Sequence, residues 1–132
     1  YINNVRIYYE DTDAGGVVYH SNYLKFAERA RTEMLRKMNI HQQKLKYDFN
    51  IQFIVKKLSI EYNIPSMLDD LIRIESYILK VAAAKIMMKQ IMYRKNDLIA
   101  KIDLTLGSIN SLGKPVRLPT KILNKLKYNK NT

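Results

Sequence analysis

Between Tyr23 and Met38 the apolar residues recur three and four positions apart, at Tyr23, Phe26, Ala27, Ala30, Met34 and Met38. That spacing lays them along one face of an α-helix. Leu24 and Leu35 widen the stripe, so the helix is expected to be largely enclosed by the rest of the fold. Ser21 or Asn22 supplies the N-cap, and Asn39 the stop. Arg29 and Glu33 stand one turn apart on the polar side, at the spacing of an ion pair. A short second helix is predicted over Gln42–Tyr47. From Ile51 the period drops to two. Leu58, Ile60, Tyr62 and Ile64 alternate with polar residues, and Pro65 with Asp69 and Asp70 marks a turn. Ile72, Ile74 and Ile78 alternate next, then Ile86, Met88 and Met92, then Leu98, Ala100, Ile102, Leu104 and Leu106. These read as four long strands, each with one buried face, and Asn96–Asp97 as a hairpin turn between the last two.

Ahead of the helix the pattern is irregular. Val5–Tyr9 reads as a short strand, Glu10–Gly16 as a turn, and Val17–Tyr19 as an extended piece. After the last strand, Gly113–Lys114–Pro115 forms a loop. Pro119 then suits the first turn of a closing helix, whose apolar side is Ile122, Leu123 and Leu126, and Asn129–Thr132 reads as a frayed basic tail. No repeat or linker interrupts the chain, so residues 1–132 are read as one domain. One short strand, one enclosed helix and four long strands predict an α+β fold, a five-stranded antiparallel sheet wrapped around a long central helix. Such a sheet has open edges, and pairing between copies of the chain is a natural way to cover them.

Composition narrows the function classes. The 132 residues include no Cys, which excludes disulfides and thiolate metal ligands. The two histidines lie apart with no i, i+4 pair, so no zinc signature is present, and neither a phosphate-binding glycine loop nor a serine elbow appears. No apolar run is long enough to cross a bilayer and no secretory pattern opens the chain. The expected setting is the cytoplasm, with the periphery of the inner membrane as the alternative. The net charge of +11 favours polyanionic partners, but the lysines are scattered through an Ile-, Asn- and Tyr-rich composition and form no compact block. The interleaved aromatic and basic residues of an RNA-binding sheet are absent, so nucleic acid is not expected as a partner.

The candidate chemistry lies in Tyr8–Arg36, YYEDTDAGGVVYHSNYLKFAERARTEMLR. Three carboxylates (Glu10, Asp11, Asp13), a glycine pair (Gly15, Gly16), His20 and a helix start follow one another within it. The order sets a carboxylate near unpaired backbone N–H groups, the combination that acyl-bond hydrolysis requires. On its residues alone Asp13 has two readings, a turn cap or a catalytic carboxylate. Asp11 is read as holding the turn, Glu10 as solvated or paired with an arginine, and His41 is given no role.

This stretch closely resembles the N-terminal signature of the YbgC-type acyl-CoA thioesterases, a family associated with the Tol–Pal system. They belong to the hotdog superfamily, with 4-hydroxybenzoyl-CoA thioesterase as a relative. FIVKKLSIEYNIPSMLDDLIRIES is similar as well, and KPVRLP more weakly. The resemblance implies a hotdog fold, a homodimer or homotetramer with its site at the subunit interface, and hydrolysis of an acyl-CoA to free CoA and a carboxylic acid. It places Asp13 as the catalytic carboxylate, nucleophile or general base, with His20 assisting. Gly15 and Gly16 would admit the thioester, Tyr19 and Tyr23 would wall the pocket, and Ser21 would open the helix that polarises the carbonyl. Lys56 and Lys57, and also Arg117, are candidates for the coenzyme A phosphates. Some hotdog thioesterases carry their carboxylate on the central helix, where Glu28 stands, but Glu28 is read first as an ion-pair partner of Arg31. No cofactor is implied, since coenzyme A is part of the substrate. Two alternatives remain: a hotdog enzyme acting on thioesters of an acidic acyl carrier protein, and a non-enzymatic basic module that binds nucleic acid or anionic lipid.

Overall fold

The computed structural model describes residues 1–130, so the last two positions of the expected basic tail lie outside the described residues. In chain order the elements are β1 (Ile2–Arg6), a 3-10 turn (Tyr9–Asp11), α1 (Asn22–Lys37), α2 (Gln42–Phe49), β2 (Gln52–Tyr62), β3 (Leu71–Ala82), β4 (Lys85–Arg94), β5 (Asp97–Ile109) and α3 (Thr120–Tyr128). The five strands form one antiparallel sheet in the order β1-β3-β4-β5-β2. β3, β4 and β5 are joined by tight hairpins. β2 precedes them in the chain yet lies beyond β5, so β1 and β2 are the two edges.

The α1 stripe is buried as its period predicts. Tyr23, Phe26, Ala27, Ala30, Met34 and Leu35 share one core with Ile72, Ile74 and Ile78 of β3 and Met88 and Met92 of β4. Burying a ring such as Phe26, 1% exposed, contributes about 1.5–3 kcal/mol. Asn39 takes the left-handed conformation at φ 60° just past the helix end, as an Asn stop does.

One polar cluster interrupts this core. Arg31 is 8% exposed and Gln90 fully buried. The Arg31 Nη1 donates to Gln90 Oε1 at 3.0 Å, and Gln90 Nε2 donates to the Ala27 carbonyl at 3.0 Å and Ser76 Oγ at 2.9 Å. The sheet is thereby tied to the central helix through a single amide. Burial lowers the Arg31 pKa, and attraction to Glu28 offsets part of that.

Several local expectations are corrected. β1 ends at Arg6 rather than Tyr9, because Asp11 Oδ2 accepts the Tyr8 N–H at 2.9 Å and bends the chain into the 3-10 turn. The hairpin turn is Lys95–Asn96, one residue earlier than expected, with Lys95 at φ 55°. Glu33 pairs with Arg36, not Arg29, and Arg31 turns to Gln90 rather than Glu28. Tyr62 and Ile64 are 48% and 39% exposed. Their alternation is that of an edge strand and its exit rather than of a covered face.

Candidate active site

The segment from Ile7 to Ser21 is held by two neighbours. Ile7, fully buried, exchanges backbone hydrogen bonds with the loop between β2 and β3: its N–H donates to the Asp70 carbonyl at 2.9 Å, and its carbonyl accepts from Asp69 at 3.0 Å. Farther along, the Val18 N–H donates to the Ser66 carbonyl at 2.8 Å, and Val17 bridges to Met67. The other neighbour is α1 itself: its Asn22 Nδ2 donates to the Asp11 carbonyl at 2.8 Å, which also accepts the Tyr19 N–H at 3.0 Å from within the segment. Asp11 thus holds the turn with both its side chain and its backbone.

Between these anchors the chain makes a small hairpin. Thr12 bridges to Val18, and the Asp13 N–H donates to the Val17 carbonyl at 2.8 Å. At its tip the Asp13 Oδ1 accepts the Gly15 N–H at 2.8 Å, and the Asp13 carbonyl accepts from Gly16 at 3.0 Å. A side chain at Gly15 would put its Cβ 3.2 Å from Asp13 Oδ1, and Gly16 sits at φ 81°. Gly16 is therefore favoured by its backbone angle, and at Gly15 a Cβ would crowd the Asp13 carboxylate and make it give by a few tenths of an ångström. Asp13 is exposed, and it caps the turn without losing its open face. The capping and catalytic readings of this side chain are compatible.

His20 follows at the entry to α1. It is exposed, with its ring centroid 4.5 Å from Tyr19 and 6.4 Å, edge-on, from Tyr62. The Tyr62 hydroxyl donates to the His20 carbonyl at 3.1 Å. Ser21 is the N-cap residue, but its side chain makes no capping bond. Among the described residues no acceptor takes the backbone N–H of His20 or Ser21. Those donors stand at the positive end of a 16-residue helix.

A cavity of about 200 Å³ opens beside them, lined by Val18, His20, Tyr23, Tyr62, Asn63, Ile64 and Pro65. Tyr23, 3% exposed, forms its inner wall and accepts the Ser66 N–H on its hydroxyl at 3.0 Å. Tyr19, 47% exposed, lies outside the cavity against His20.

The hairpin and helix start gather Asp13, Gly15, Gly16, Tyr19, His20, Ser21 and Tyr23 in one region. Lys56 and Lys57 lie elsewhere on β2. Five or six residues separate them from Tyr62, about 17–20 Å of extended strand. Lys56 occupies the irregular step in the β2–β5 register and lies over Gly107, where an added Cβ would come within 2.5 Å of its Cδ. Arg117 is exposed in the segment leading to α3. Tyr62 was missed by sequence reasoning because its place in the alternation marks it as a core residue. Ser66, fully buried with no partner for its hydroxyl among the described residues, gave no signal at all. No group of three or more His, Cys, Asp or Glu among the described residues is arranged to hold a metal ion.

Comparison with known proteins identifies the family. A profile of the thioesterase-like superfamily matches residues 8–126. The acyl-CoA thioesterase YbgC of Haemophilus influenzae is 44% identical over 120 residues, covering 89% of this chain and 88% of that protein. The acyl-CoA thioester hydrolase YbgC of Escherichia coli O6:H1 is 41% identical over 125 residues, covering 93% and 92%. Among solved structures, a probable thioesterase from Bartonella henselae superposes with a TM-score of 0.86 at 32% identity, covering 90% of this chain and 98% of the other.

Proposed function

The chain belongs to the thioesterase-like superfamily, as a hotdog-fold thioester hydrolase akin to the YbgC acyl-CoA thioesterases, and from that premise we propose that Asp13 and the start of α1 form its catalytic centre. Water cleaves the thioester of an acyl-CoA, releasing free CoA and a carboxylic acid. Asp13 acts on the thioester carbon as nucleophile, or on the attacking water as general base. The N–H groups of His20 and Ser21 receive the developing oxyanion; one such donor is worth about 3 kcal/mol in a transition state. The His20 imidazole, exposed at the mouth of the cavity, assists by orienting water or thioester. The observation that carries the reading is the short hairpin from Thr12 to Val18, which joins the Asp13 turn to a helix start where, among the described residues, no acceptor takes the N–H of His20 or Ser21.

Assembly belongs to the same proposal. β2 is an 11-residue edge strand with Ile54 and Val55 exposed, and an uncovered edge of that length is a template for a second copy. A homodimer or homotetramer is expected by light scattering. Lys56 and Lys57, remote from the thioester, would serve the phosphate-bearing end of coenzyme A. An acidic carrier protein as the acyl donor is the second reading, favoured by the +11 charge. Thiol release is to be measured from CoA esters of increasing acyl length. Turnover of at least one acyl class supports the assignment. No thiol release from any CoA ester, with turnover of a carrier-bound acyl group, supports the second reading instead.

A further inference from the structure

The opposite end of α1 carries a larger cavity that the catalytic reading does not use. It measures about 470 Å³ and lies where the chain leaves α1, between α2 and α3. The 16 residues of α1 put it about 24 Å from the helix start that bears His20. Its floor is apolar: Ile40, Leu45 and Ile122 are at most 8% exposed.

Its rim is basic. Lys44 of α2 and Lys121 and Lys125 of α3 line it, against one carboxylate, Asp48. Among the described residues none of these lysines has an ion pair within 4.0 Å. The Lys125 Nζ is fixed in place by the Asn39 carbonyl at 3.2 Å. Two exposed rings complete the surface. Phe49 lines the cavity at 52% exposure. Tyr128, 90% exposed, follows Lys121 and Lys125 along one face of α3 by the spacing of a helix.

We propose that this lysine-rimmed cavity between α2 and α3 docks the protein onto a bilayer containing anionic phospholipid. Lys44, Lys121 and Lys125 take headgroup phosphates, while Phe49 and Tyr128 enter the interfacial layer. Unpaired cations over an apolar floor are complementary to a ligand with a charged head and an apolar body. A small free anion would use the lysines alone and leave the Phe49 and Tyr128 rings exposed to water. Aromatic rings beside lysines are also the composition that settles at the boundary between headgroups and acyl chains.

The test uses the full chain and sedimentation with vesicles, either of phosphatidylcholine alone or with about one-third phosphatidylglycerol. Binding is expected to the anionic vesicles only. The triple variant Lys44→Glu, Lys121→Glu, Lys125→Glu is expected to lose about 100-fold in partitioning, since each basic residue near an anionic surface contributes roughly fivefold. Its turnover of a soluble acyl-CoA should stay within about twofold of the parent, which also reports that it folds. The triple variant Lys80→Glu, Lys95→Glu, Lys114→Glu makes the same charge change elsewhere and should bind the vesicles nearly as the parent does. The chain has no Trp, so Tyr128→Trp gives a single reporter whose emission should shift to the blue on anionic vesicles. Equal loss in both triple variants, or an unshifted Tyr128→Trp emission on bound vesicles, overturns the proposal. So does saturable capture of inorganic phosphate at the cavity without vesicle binding.

Discussion

The hydroxyl of Tyr62 donates to the main-chain carbonyl of His20 across 42 residues of sequence, at 3.1 Å. This bond links the end of the edge strand β2 to the peptide that opens α1. The Tyr62 ring also lies 5.7 Å from Tyr23, the inner wall of the small cavity.

Tyr62→Phe keeps the ring and removes only this hydrogen bond. A typical intramolecular hydrogen bond contributes about 0.5–1.5 kcal/mol. The His20 peptide should be less firmly held, and kcat for an acyl-CoA should fall by about 2- to 10-fold with KM little changed. The melting temperature should barely move, since the bond is exposed. Steady-state kinetics beside a thermal melt checks this, and an unaltered kcat would show that the bond does not position the site.

The core amide of Gln90 has a different job. It is the acceptor for the buried Arg31 and a donor to α1. Gln90→Leu replaces the amide with an apolar side chain of similar bulk and leaves the guanidinium without this acceptor. Losing a buried hydrogen bond to a charged group costs about 1.5–3 kcal/mol. Chemical denaturation should report that loss. A variant as stable as the parent would mean that Arg31 finds water or another acceptor.

The ion pair of Arg94 with Asp70, at 2.8 Å, secures the loop that pins Ile7, Val17 and Val18. Burial alone would raise the Asp70 pKa. The Arg94 hydrogen bond and charge, with the Met67 N–H, outweigh it and hold the carboxyl below its ordinary range. A depressed carboxylate pKa contributes stability that is present above the unfolded-state value and lost as pH falls through the folded one. Asp70→Asn should therefore be less stable than the parent at pH 6–7. The difference should shrink below about pH 4, the ordinary carboxylate range, as the parent's Asp70 protonates. Denaturation curves at stepped pH check the sign; a gap that widens on acidification contradicts it.

The fold was legible wherever one period ran unbroken. The stripe from Tyr23 to Met34 and the alternation through Ile72, Ile74 and Ile78 had only one buried solution each. The sheet order was not legible, because β2 and β3 alternate alike and nothing local says that β2 pairs with β5. Exposure at Tyr62 and Ile64 follows from that edge position and was hidden for the same reason. The turn at Asp13 was legible because two glycines stand at its tip and the left-handed angle of Gly16 calls for one. Gln90 was not: in a strand of Ile and Met a lone glutamine does not announce that it meets Arg31 from another element. Nor does residue type reveal that, among the described residues, no acceptor takes the amides of His20 and Ser21, which depends on the path of the chain into α1.

The most direct measurement is the turnover of Asp13→Asn. Asn keeps the side-chain size and an oxygen to accept the Gly15 N–H, so the hairpin should survive and circular dichroism should stay native. Removing the anion removes the nucleophile or base, and kcat should fall by at least ~100-fold while KM changes little. His20→Ala should cost less, since the backbone donors remain, and Asp11→Asn and Glu28→Gln should leave turnover largely intact. An Asp13→Asn protein with native folding and near-parental kcat would contradict the assignment of the catalytic carboxylate.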